Sequence, residues 1–125
     1  MNEEEMLSDG DFDEEGKELL ALCLIEVLDA VSGQKERIRR LVEVGIIPSE
    51  GLNPMVIGAT RRLYALQVMT YGSPDRALEG GRAVHGTSVT LQTQLDLAAG
   101  LITELGGDSN SFGESASSEP TWGGL

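Results

Sequence analysis

The sequence holds one cysteine, one histidine and one tryptophan. A single thiol, Cys23, cannot form a disulfide within the chain, so a reducing, intracellular setting is the expectation. With His85 as the only histidine, no Cys/His set has the spacing of a zinc site. No cofactor is implied. The glycines around His85 (Gly80, Gly81, Gly86) are not followed by the Lys-Ser/Thr pair of a phosphate loop, nor preceded by a strand pattern. Long apolar runs are also missing. The longest, Leu19 to Val31, is broken by Glu26 and Asp29 and is too short to span a bilayer. The N-terminal stretch is acidic where a secretion signal would be basic and then apolar. The expectation is a protein without a membrane segment, placed in the cytoplasm or in a virion.

Positive charge is scarce too, with nine basic residues against 21 acidic ones and a net charge of −12. The imbalance is local. Residues 1–15 carry eight acidic side chains and no basic one, residues 16–106 are close to neutral at about −1, and residues 107–125 add Asp108, Glu114 and Glu119. The sequence therefore divides into an acidic arm (1–15), a nearly neutral middle (16–106) and a Gly/Ser/acidic tail (107–125). Like charges repel in the first arm, and neither end has enough apolar surface to offset chain entropy. Both are expected to be disordered or ordered by partners.

The middle reads as all-α, a small bundle of four or five helices. Leu20, Leu24, Val27 and Val31 fall at 4-3-4 spacing within a helix expected over 14–31. Leu19, Leu22, Cys23, Ile25 and Leu28 make it apolar almost all round. Such a helix lies at the centre of a bundle or faces another subunit. A second helix over 34–44 has Ile38, Leu41 and Val42 on one face and ends at Gly45. Asn53-Pro54 reads as cap and first position of a third helix running to Tyr71. Met55, Ala59, Leu63, Leu66 and Met69 form one seam of it, and Val56, Tyr64, Val68 and Tyr71 a second. Ser73-Pro74 opens a short helix over 75–78, and residues 79–87 have no clear pattern. The last helix is expected over 87–105, with Leu91, Leu95, Ala98, Ile102 and Leu105 at heptad-like spacing.

Two groups of residues are candidates for binding. Phe12, Phe112 and Trp122 are three of the five aromatics and fall in the arms. A large ring there has little of its own chain to pack on, yet it supplies much contact area to a partner. Trp122 would be the anchor of a docking segment, with the carboxylate of Leu125 as a second handle. The other group is a basic band, Lys35, Arg37, Arg39, Arg40, Arg61 and Arg62, on two consecutive helices. If those helices pack side by side, the band forms one patch able to neutralise phosphates or an acidic partner.

The function expected on these grounds is non-enzymatic. The chain would be a structural or adaptor protein working through protein partners, as a homo-oligomer or a subunit of a larger assembly. Its short, helical, acidic-armed style is common among bacteriophage assembly proteins, an analogy of composition alone. One alternative is a nucleic-acid-linked regulator or packaging factor that uses the arginine-rich helix pair. Another is an acidic inhibitor of a nucleic-acid-binding protein.

Overall fold

A computed structural model of the chain describes residues 14–108. Within them lie five α-helices, α1 (Glu14–Gly33), α2 (Lys35–Glu43), α3 (Leu52–Tyr71), α4 (Pro74–His85) and α5 (Leu91–Glu104), with a single 3-10 turn at Ser49–Gly51 and no strand. The protein is an all-α helical bundle. The arms, and with them Phe12, Phe112, Trp122 and Leu125, lie outside the described residues.

The near-cylindrical apolarity of α1 is explained by its place. It is the hub, packed against α3, α4 and α5. Leu19 through Leu24 are buried without a break, as are Val27 and Leu28. Of the two expected settings, the centre of the bundle is the one observed. One cluster joins Leu20, Leu24, Val27 and Leu28 to Leu52, Val56 and Ile57 of α3, to Leu95, Ala98 and Ile102 of α5 and to Leu105 at its C-terminal cap. A second joins Leu19, Leu22 and Cys23 to Ala77 and Leu78 of α4, with Tyr64 and Val68 of α3 against it. The first half of α1 thus meets the second half of α3, and the two run antiparallel.

Four local expectations need correction. First, Asn53 does not cap α3. The helix begins one residue earlier at Leu52, and Asn53 is buried within its first turn, where its Nδ2 donates to the Asp108 carbonyl at 3.0 Å. The side chain ties the start of α3 to the chain beyond α5. Second, the fourth helix runs on to His85 through Gly80 and Gly81. Ala77, Gly80 and Gly81 share one face of it, and α4 approaches α1 so closely that a Cβ at Gly81 would lie 2.7 Å from Leu22 Cδ1. Third, α5 starts at Leu91 and not at residue 87, capped by the Thr90 hydroxyl. Val84 sits on α4 and is exposed.

The fourth correction bears on function. Neither seam of α3 is wholly core: Ala59 and Leu63 of the first and Val56, Tyr64 and Val68 of the second pack into the core clusters, while Tyr71 of the second is exposed. Val56, Ile57 and Thr60 are buried, whereas Met55, Leu66 and Met69 are 36%, 56% and 79% exposed. The helix ends at Gly72, whose φ of +90° is the left-handed stop that glycine adopts without strain.

Candidate functional site

The features most suggestive of chemistry are Cys23 and His85. They border a hollow of about 60 Å³ between α1 and α4, walled by Leu19, Leu22 and Ala77. That is room for about two water molecules. Cys23 is buried, and burial, with Glu26 as a lesser cause, pushes its thiol up to about 12. It is protonated near neutral pH and is a poor nucleophile. His85 Nε2 lies 3.5 Å from Glu26 Oε1 at the edge of the hollow. Among the described residues no three His, Cys, Asp or Glu side chains gather into a metal cluster. No described helix is long and apolar enough to cross a membrane.

Just beside this hollow, Arg82 on α4 grips Glu18 on α1 with both ends of its guanidinium. Nε and a terminal nitrogen each donate to a carboxylate oxygen at 2.7 Å. The hydrogen bonds from Arg82 hold the Glu18 carboxyl below its ordinary value, partly opposed by desolvation. The pair clamps the crossing at which Gly81 meets Leu22.

The basic band falls into two parts. Lys35, Arg37, Arg39 and Arg40 are on α2, and Arg61 and Arg62 are on α3. The helix pairs that pack extensively all involve α1 or join α3 to α4, and α2 is seated mainly against α1. Lys35 Nζ is 2.9 Å from Glu104 Oε1, and Arg39 is 2.6 Å from Glu36. Arg37 and Arg40 are exposed and carry no ion pair among the described residues. Arg62 folds back along α3, with its terminal nitrogen 3.4 Å from where a Cβ at Gly58 would sit. No ion pair or hydrogen bond among the described residues links the α2 group to the α3 group.

The largest unmet feature is apolar. Met55, Leu66 and Met69 are exposed along one side of α3, with Arg62 between the first two, while Ala59 of the same row packs on the core. A few isolated apolar side chains on a surface need no explanation, but Leu66 and Met69 lie one helical turn apart and offer a joint apolar surface. Helical periodicity puts Met55, Ala59, Leu63, Leu66 and Met69 on one seam, but Ala59 and Leu63 face the core and the other three face out. Periodicity cannot say which members of a seam face inward, because all of them satisfy the same spacing.

No protein-family model, curated protein or solved structure matches the chain.

Proposed function

We propose that the protein is a non-enzymatic adaptor or structural subunit, acting through protein–protein contacts in a larger assembly. The observation that carries this reading is the apolar α3 surface. Full burial of a Leu or Met side chain is worth about 1.5–3 kcal/mol, so covering Leu66 and Met69 supplies the nucleus of an interface. Met and Arg are also enriched at interface centres, where Asp and Glu are depleted, and Arg62 lies between Met55 and Leu66. Pairing this surface with its own copy about a two-fold centred on it would bring Arg62 against Arg62. An acidic, apolar segment of a different protein suits it better. The high, burial-raised pKa of Cys23 and the small hollow beside it also weigh towards a binding role.

The nucleic-acid reading has less support. Lys35 and Arg39 are committed to Glu104 and Glu36, and exposed pairs of this kind leave only Arg37 and Arg40 of the α2 group without an ion pair.

Leu66→Asp combined with Met69→Asp tests the surface. Both side chains are exposed, so folding stability is expected to stay within about 0.5 kcal/mol per site. Crosslinked complexes formed by the full-length chain in its native cells are expected to be lost with this variant and kept with Gln92→Ala on α5. Chains lacking residues 1–15 or 107–125, run in parallel, report the contribution of the arms. A wild-type chain that stays monomeric and forms the same complexes as the double variant would sink the reading.

A further inference from the structure

A groove runs between α1 and α5, about 550 Å³ in volume, and is separate from the α3 surface. Its floor is Ile25, Leu28, Leu97 and Leu101, and its edges carry Asp29, Asp96 and Glu104 with no basic residue in the lining. Leu97 is 57% exposed. Glu104 is engaged by Lys35 and Asp96 accepts from Gln92, while Asp29 has no ion pair among the described residues. Gly100 lies in the groove, in the interior of α5. A glycine there weakens the helix relative to alanine. At Gly81 the close approach of Leu22 explains the glycine. At Gly100 nothing among the described residues does, since a Cβ there would meet none of their atoms within 4 Å. The missing side chain leaves room for something from outside.

The complementary surface is on α2. Arg37 and Arg40 lie one turn apart on its outer side, and Val44 caps its end one turn further on. All three are exposed, Val44 at 64%, and Ile46 just beyond them is 69% exposed. This face offers two arginines and two β-branched apolar side chains. The groove offers carboxylates over an apolar floor. Ser32, which lines the groove, also lines the hollow at the start of α2 that Arg37 borders. The two surfaces therefore adjoin on one molecule.

We infer that the occupant of the α1/α5 groove is a second copy of this chain, presenting Arg37 and Arg40 of its α2 together with Val44 and Ile46 of the turn that follows. Since the two surfaces adjoin, each copy can give its α2 face and receive the other's. That is the reciprocal contact of a closed two-fold dimer. Arginines meet Asp29 and Asp96, and the apolar side chains meet the floor around Leu97 and Gly100. The inference rests on the reading of the protein as an assembly part, but it uses no residue of the α3 surface.

Sedimentation velocity of the full-length chain over a concentration series tests it. The wild type is expected to show a monomer–dimer equilibrium that weakens as salt rises. Arg37→Glu/Arg40→Glu and Asp29→Lys/Asp96→Lys are each expected to raise the dimer dissociation constant at least tenfold. All four positions are exposed, so both variants keep the wild-type melting temperature. An equimolar mixture of the two pairs arginine with aspartate in one contact and lysine with glutamate in the other, and is expected to restore a one-to-one dimer. Gly100→Met fills the groove. It is expected to raise the melting temperature, through helix propensity, while dimerisation is lost. That opposite movement separates a blocked site from a damaged fold. A wild type that remains monomeric throughout, or charge variants that dimerise as it does, or a mixture that fails to recover, each overturns the inference. The binding of other proteins by Leu66 and Met69 would be untouched by that result.

Discussion

At Gly81 a methyl group would be 2.7 Å from Leu22 Cδ1, and Leu22 is only 2% exposed. The leucine tip borders the hollow of about 60 Å³, but to yield into it Leu22 must give up packing in the buried cluster it forms with Leu19, Ala77 and Leu78. Overpacking of this kind costs about 1–3 kcal/mol, against which the better helix propensity of alanine returns up to about 1 kcal/mol. Gly81→Ala is therefore expected to lower stability in chemical denaturation. In a Leu22→Ala background the obstacle is gone and the propensity gain remains, so the same substitution is expected to become neutral or stabilising. A cost that is unchanged in the two backgrounds would mean that close approach is not the reason for the glycine.

Among the elements, α4 depends most on a specific polar contact. It is a short helix bearing two interior glycines, held to α1 by a narrow small-residue face and by the Glu18–Arg82 pair. Glu18 titrates below the ordinary carboxylate value of 4.5 in the folded protein because Arg82 hydrogen-bonds its charged form. A depressed folded pKa means that the folded state holds its proton less tightly than the unfolded chain. The stabilisation is present above the unfolded pKa, fades as pH falls through the folded one, and is gone below it. Glu18→Gln is thus expected to lower the melting temperature by a few degrees at pH 7, with the gap to wild type narrowing as pH falls below the ordinary carboxylate value of 4.5. A gap that stays constant with pH would assign the loss to packing and not to charge.

On the scale of the whole molecule, α1 ties two apolar clusters into one body. Leu20 to Leu28 serve α3 and α5, while Leu19, Leu22 and Cys23 serve α4. Elements that share one central helix are expected to unfold together. The lone thiol reports on this directly. Cys23 is 2% exposed and its thiol is pushed up to about 12, so modification by a neutral disulfide reagent at pH 8 requires opening. The labelling rate is expected to follow the global unfolding free energy as denaturant is added. Fast labelling without denaturant, or a rate insensitive to it, would show that α4 detaches on its own.

Much of this architecture was readable from residue order. Apolar spacing located α1, α2, α3 and α5. Gly45, Gly72 and Ser73-Pro74 marked real ends and starts, because the chemistry of caps and left-handed glycines is local. The apolarity of α1 almost all round, broken after Leu19 only by Glu26 and Asp29, was enough to require that it be enclosed or shared. Residue order did not extend α4 past Leu78, because Gly80 and Gly81 look like helix breakers until Tyr71 stands opposite the one and Leu22 opposite the other. It also did not tell which members of the two α3 seams face inward, or that Asn53 would reach Asp108 across 55 residues instead of capping its own helix. Nor did it bring Asp29 and Asp96 to the edges of one groove. Periodicity and capping depend on neighbours within a turn or two, so they are written along the chain. Which face is covered, which glycine is crowded and which carboxylates share a groove depend on helices far apart in sequence, and only their packing decided it.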